Sequence, residues 1–98
     1  MKVYIVMGQT GEYSDCQEWV VCAYADRTLA ERHADQAALW VVRMRGTVAR
    51  VSRDNYDADY NKRKELKGKS PWDSSLRADY TGTDYYVMEV ELRDELPA

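Results

Sequence analysis

The segment VYIVMGQTGEYSDCQEWVVCAY, residues 3–24, decides the fold, because it contains two compact apolar runs separated by a polar loop. Side chains alternate between two sides along Val3–Met7 and again along Trp19–Tyr24, which is the period of a β-strand. The residues between the runs, Gly8–Asp15, favour turns because many of them permit positive φ or bond back to their own backbone. The segment predicts an antiparallel hairpin.

The same alternation predicts which side chains of the second strand share a face. One set comprises Trp19, Val21 and Ala23, and the other comprises Val20, Cys22 and Tyr24. We therefore expect Trp19 and Cys22 on opposite faces of the sheet.

An amphipathic helix follows the hairpin. Asp26 can cap its N terminus, although Thr28 with Glu31 forms a competing capping box. Apolar residues then recur at alternating steps of four and three, which predicts one continuous buried stripe. The stripe comprises Ala30, Ala34, Ala37, Val41 and Met44.

Gly46 leaves two interpretations of the following segment. The helix either stops there and a second helix begins near Asp54, or one longer helix continues through the glycine at a cost of about 1 kcal/mol. We favour two helices. Residues 55–67 are almost entirely polar, so a helix there is expected to be short and largely exposed.

Residues 68–75 predict a turn, because Pro71 fixes its own φ and biases Ser70 away from helix. Alternation then resumes from Tyr85 to Leu92 and predicts a last strand. This strand can lie antiparallel beside the first. The expected fold is one α+β domain, residues 1–98, with a three-stranded antiparallel sheet of order 2-1-3, a helix packed on one face, and the element order ββα(α)β.

Composition narrows the class of protein. Fourteen basic and seventeen acidic residues give a net charge of −3, which disfavours nonspecific binding to nucleic acid or to an anionic membrane. Neither a signal peptide nor a membrane span is indicated, so we expect a cytoplasmic protein with reduced thiols. No metal-ligand spacing or cofactor motif is present. Glu89 and Glu91 would repel a second copy paired at the last strand, which favours a monomer.

Motifs at both ends of the chain carry a family resemblance. KVYIVMG at residues 2–8, TGEYSD at residues 10–15, EW at residues 18–19 and AYAD at residues 23–26 form the first half of the pattern. SPWD at residues 70–73, DYTGT at residues 79–83, Tyr85 and VEL at residues 90–92 form the second half. With these motifs the chain resembles a family of small uncharacterised bacteriophage and prophage proteins. The resemblance covers about half the chain and implies a phage setting and a fold. It implies no activity, because that family has none assigned.

Candidate catalytic groups do not form a recognisable set. His33 is the only histidine, and Cys16, Cys22 and Ser14 lie in segments whose distance from it the sequence does not define. The aspartates at 54, 57 and 59 lack the glycine and the closing glutamate of a calcium loop. The loop at Gly8–Asp15 lacks the spacing of a phosphate-binding loop. We expect a protein that is not an enzyme.

Aromatic and acidic residues are concentrated in two loops that the predicted topology brings to the same end of the sheet. Either their hydrogen bonds lock the loops together, or they form a patch for a protein partner, since Trp and Tyr dominate binding hot spots. The candidate partner-binding residues are Tyr13, Asp15, Trp19, Trp72, Asp73, Tyr80 and Thr81.

A local basic run supports an alternative hypothesis, a nucleic-acid-associated module. Its residues are Lys62, Arg63, Lys64, Lys67 and Lys69. Adjacent acidic residues dilute the run. The leading hypothesis is therefore a noncatalytic phage accessory protein in the host cytoplasm that binds a host or phage protein, such as an inhibitor of a host defence or metabolic complex.

Overall fold

The computed structural model describes residues 1–11, 16–45, 56–77 and 82–97. The elements in chain order are β1 (Lys2–Thr10), β2 (Gln17–Tyr24), α1 (Arg27–Arg45), α2 (Tyr56–Leu66) and β3 (Thr83–Glu91). The strands form one antiparallel sheet in the order β2-β1-β3, and α1 packs against it. The predicted α+β fold and strand order are confirmed.

The core lies between α1 and the inner face of the sheet, the face on which β1 carries Tyr4, Val6 and Gly8. Val6 is fully buried and packs with Ala30 and Ala34 of α1. The alanines bring the helix backbone close to the sheet, because they add little volume between the two layers. Burial of Ala37 and Val41 continues the predicted stripe, whereas Met44 at its end is exposed.

Asp26 caps α1. Its Oδ1 accepts hydrogen bonds from the backbone amides of Thr28 at 2.7 Å and Leu29 at 3.2 Å. These amides have no partner within the helix, so the side chain satisfies donors that would otherwise face water. The first of the two capping alternatives is thus the one that the chain adopts.

Two separate helices follow the hairpin, as expected. Val41 of α1 and Leu66 of α2 belong to one buried cluster with Leu76. In a single continuous helix these two residues would lie about 37 Å apart along the axis. Their packing therefore requires the chain to reverse between α1 and α2, and Gly46 itself falls outside the described residues.

The first strand is longer than predicted. β1 continues to Thr10, so Gly8 lies within the strand and pairs with Trp19 of β2 and Tyr85 of β3. The expectation that the loop begins at Gly8 was wrong. Turn propensity at a single glycine is outweighed here by hydrogen bonding to strands on both sides.

A β-bulge changes the phase of β2. Val6 pairs with Cys22 but Met7 pairs with Val20, so Val21 is an extra residue in β2. As a result Trp19 lies over Gly8 on the inner face, where Cys22 also packs. The expectation that Trp19 and Cys22 lie on opposite faces was wrong, because strict alternation does not hold across a bulge.

Candidate functional site

Asp73 is the centre of the hydrogen bonding that joins the loop before β3 to the sheet. Its side chain is 2% exposed, and its Oδ2 accepts from Nε1 of Trp19 at 2.9 Å and from the hydroxyl of Tyr85 at 2.7 Å. Its Oδ1 accepts from the backbone amide of Ser75 at 3.0 Å. Three donors compensate for the cost of burying a carboxylate, so the loop that carries Asp73 is held against the sheet.

Gly8 makes the Trp19 contact possible. A Cβ added at Gly8 would lie 2.6 Å from Nε1 of Trp19, well inside van der Waals contact. The indole therefore occupies the space that a side chain on β1 would fill. Trp19 and Tyr85 flank Gly8 on the two neighbouring strands. Both side chains thereby reach Oδ2 of Asp73.

Short-range hydrogen bonds shape the loop around Asp73. Oγ of Ser70 accepts from the amide of Trp72 at 3.2 Å, and the carbonyl of Asp73 accepts from the amide of Leu76 at 3.3 Å. Leu76 is 1% exposed and packs with Val41. The loop is consequently fixed by a buried leucine as well as by the carboxylate.

His33 joins α1 to the same loop. Its Nε2 donates to the carbonyl of Trp72 at 2.7 Å, and its Nδ1 is 2.8 Å from the hydroxyl of Tyr24. Because a carbonyl only accepts, the neutral ring carries its proton on Nε2 and accepts from Tyr24 at Nδ1. Both ring nitrogens are thus used within the domain, which gives His33 a positioning role.

Burial and the charge of Asp73 change the acidity of two neighbours. Burial, followed by the negative charge of Asp73, raises the pKa of the Cys22 thiol. Burial and the hydrogen bond to Asp73 raise the pKa of Tyr85 far above its usual value. Both groups stay protonated at neutral pH, and a protonated thiol is a poor nucleophile. The environment of Cys22 therefore does not favour covalent catalysis.

The predicted partner-binding residues fall into two groups. Trp19 and Trp72 are half-buried, and Asp73 is buried, all with hydrogen bonds inside the domain. These three residues hold the loop, the hairpin and α1 together. The other four candidates, Tyr13, Asp15, Tyr80 and Thr81, lie outside the described residues.

The two loop regions meet at one end of the sheet, as the predicted topology requires. Besides the bond between Trp19 and Asp73, Nη1 of Arg77 donates to Oε1 of Gln17 at 3.1 Å. Oγ1 of Thr10 donates to the carbonyl of Gly82 at 2.5 Å. The expected meeting of the hairpin end with the segment before β3 is confirmed for the described residues.

The outer face of the sheet is apolar and lies opposite α1. Its apolar side chains are brought together by the strand register, and Met7 at the centre of the face is buried among them. The full set is Val3, Ile5, Met7, Val20, Ala23, Tyr86, Met88 and Val90. Among the described helices and strands, α2 contacts only α1, so neither helix covers this face. Val20 is 60% exposed and Met88 is 41% exposed.

Part of the predicted basic run lines a pocket of about 570 Å³. Tyr60, Arg63 and Lys64 of α2 line it, together with Lys67 just after the helix, Arg77 and Gln17. Lys62 and Lys69 are not among the described residues that line it. The helical spacing of three and four between residues 60, 63, 64 and 67 indicates a shared face, but the sequence carried no signal that Arg77 would join them.

Sequence reasoning also missed Gly8 and Tyr85 as partners in the Asp73 contacts. A glycine inside a strand pattern is a known signal of a close approach by another group, and it was available at Gly8. Tyr85 was identified as one member of an alternating strand and as one residue of the family pattern, but not as a partner of Asp73. No local pattern shows which carboxylate a tyrosine 12 residues away will meet.

Within the described ranges, no group of three or more His, Cys, Asp or Glu side chains could hold a metal ion. None of the described helices is long and apolar enough to cross a membrane. A scan against protein-family models, a search of curated proteins and a search of solved structures found no match for this chain. The outer face and the basic pocket are therefore the two candidate functional surfaces of the described residues.

Proposed function

We propose that this protein is a noncatalytic binding protein whose outer sheet face contacts a protein partner. The observation that supports the proposal is the exposure of Val20 and Met88 on the sheet face that neither described helix covers. Contiguous exposed apolar surface on a small domain is typical of interaction sites. The strand register places Met88 beside Ile5 and Val90 beside Val3, so these side chains form one continuous surface.

The size of the outer face favours a different protein over a second copy of this chain. Three strands of eight or nine residues, spaced about 4.8 Å apart, give a face on the order of 400 Å². A stable interface usually buries about 800 Å² on each partner, and obligate homodimers bury more. A partner that binds stably must therefore also contact residues around the edge of the sheet.

Charge at one end of the face indicates the chemistry of that partner. Glu18 and Asp84 flank Gln9 on the two neighbouring strands, and both carboxylates are exposed. Glu18 also accepts a hydrogen bond from the hydroxyl of Tyr86 at 3.0 Å, which places a polar edge beside the apolar side chains. A complementary surface is apolar in the middle and basic at the edge that meets these carboxylates.

The biological setting proposed for this binding is a bacteriophage-infected cell. The support for this setting is the resemblance of the motifs at both ends of the chain to those of phage proteins. A small accessory protein in the host cytoplasm could act as an inhibitor by covering a surface of a host defence or metabolic complex. Occupying such a surface requires no catalytic group on the inhibitor.

Affinity purification with matched variants tests the proposal. The tagged chain is recovered from cells of its native host as wild type and as the Val20→Lys, Met88→Lys double variant. Each lysine places a charge on the outer face, so a partner bound there should be lost. The control is Val42→Lys, since Val42 is 52% exposed but lies on α1.

The expected result is a stoichiometric protein that copurifies with wild type and with Val42→Lys but not with the double variant. A partner retained equally by all three proteins would place binding elsewhere on the chain. Recovery of only a second copy of the chain would replace the proposal with self-association. Thermal unfolding of each variant confirms that loss of binding is not loss of folding.

A further inference from the structure

We infer that the basic pocket, lined by Gln17, Tyr60, Arg63, Lys64, Lys67 and Arg77, binds the phosphate of a nucleotide, either free or within a single strand. This inference is independent of the proposed protein binding, because it concerns other residues. Four of the six residues are cationic, and none of the described residues that line the pocket is acidic.

Three of the four cations that line the pocket form no ion pair with a described residue. The ion pairs between described residues link the N-terminus with Glu91, Lys2 with Glu89, and Arg27 with Glu31. None of them involves Lys64, Lys67 or Arg77. Like charges held close together repel each other, and a bound anion relieves that repulsion. The protein as a whole has a net charge of −3, so this group of cations is a local feature of the surface.

Arg77 is positioned for this role by a neutral side chain. Its Nη1 donates to Oε1 of Gln17 at 3.1 Å, which orients the guanidinium without cancelling its charge. The backbone of Arg77 is held as well, because its carbonyl accepts a hydrogen bond of 2.7 Å from the hydroxyl of Thr83. A guanidinium offers several donors in one plane, a geometry that matches phosphate oxygens.

Tyr60 indicates a nucleotide rather than a bare anion. Its side chain is 49% exposed, and the guanidinium of Arg63 lies 5.7 Å from the centre of its ring. An exposed tyrosine beside basic groups is a common surface for stacking a base while the cations contact the phosphate. The pocket volume of about 570 Å³ is also large enough for a nucleotide.

Fluorescence anisotropy on the full chain tests the inference with defined probes. The probe is a labelled oligothymidylate of about ten nucleotides at about 50 mM salt, with ATP and inorganic phosphate as competitors. Lys67→Glu and Arg77→Glu are compared with Lys69→Glu. The control makes the same charge change on an exposed residue that does not line the pocket.

The first two variants are expected to weaken binding at least about tenfold, and the control less than about threefold. If ATP displaces the oligonucleotide at concentrations at which inorganic phosphate does not, the site is assigned to a free nucleotide. Binding of the oligonucleotide without competition by ATP would assign a single strand. Equal weakening by all three variants, or no binding of oligonucleotide or ATP at about 1 mM, would overturn the inference. Melting curves verify that each variant is folded.

Discussion

The indole Nε1 of Trp19 donates to the buried carboxylate of Asp73 at 2.9 Å, although the two residues are 54 positions apart in the sequence. This hydrogen bond, with that from Tyr85, fixes the loop before β3 against the inner face of the sheet. The polar aromatic residues described here thus stabilise the scaffold. These contacts lie on the face opposite the one proposed for partner binding.

Replacing Asp73 should destabilise the domain strongly. Asp73→Ala leaves Nε1 of Trp19 and the hydroxyl of Tyr85 without their acceptor in a site shielded from water, at a cost of about 3 kcal/mol in unfolding free energy. Urea unfolding measures the change. The neighbouring exposed residue provides the control, because Ser74→Ala should change stability by less than about 0.5 kcal/mol. Similar effects of the two substitutions would show that the carboxylate does not hold the loop.

Gly8 should tolerate no side chain while Trp19 is present. Gly8→Ala places a Cβ against the indole and is expected to cost about 2 kcal/mol or more. In a Trp19→Leu background, the added cost of Gly8→Ala should fall below about 1 kcal/mol, because the crowding atoms are gone. Urea unfolding of the four proteins measures this coupling. Additive effects would contradict the close approach of the indole to Gly8.

Alkaline unfolding should report on Tyr85. Because the folded-state pKa of Tyr85 is raised, this residue ionises first in the unfolded state, near pH 10. Its contribution to stability is therefore complete below pH 10 and declines above it, by about 1.4 kcal/mol per pH unit. Tyr85→Phe should be less stable than wild type at neutral pH, and the difference should shrink above pH 10. A difference that is constant with pH would be evidence against the raised pKa.

The two thiols should differ in reactivity. Cys16 is exposed, whereas Cys22 is partly buried and its pKa is raised by burial and by the charge of Asp73. At pH 8 a thiol reagent such as Ellman's reagent should react with Cys16 in a fast phase and with Cys22 in a slow one. Cys16→Ser should abolish the fast phase and Cys22→Ser the slow phase. Equal rates at both positions would rule out the described environment of Cys22.

The sheet order and the two helices were predictable because they depend on local patterns. The stripe from Ala30 to Val41 repeats with a helical period, and β1 and β2 are compact apolar runs. With these elements, short connections leave few topologies to consider. The predicted buried stripe was one turn too long. Met44 at its end is exposed, although its spacing fits the helical period.

The candidate site was less predictable because it depends on tertiary contacts. Alternation divides β3 into two sets, but it does not indicate which set faces the helix. The register with β1 places Tyr85 and Val87 inside and leaves Met88 outside. Likewise the extra residue Val21 has no sequence signal, yet it moves Trp19 to the inner face. Packing between elements that are distant in the chain determines which side chains face the helix.

Site-specific photo-crosslinking in cells of the native host tests most directly the central claim that the outer face contacts a protein partner. A photoreactive amino acid is placed at Val20 or Met88 on the outer face, and at Val42 on α1 as the control. We predict a discrete crosslinked adduct to a different protein from the first two positions and none from Val42. The same adducts from all three positions, or an adduct of two copies of the 11.4 kDa chain alone, would contradict the claim.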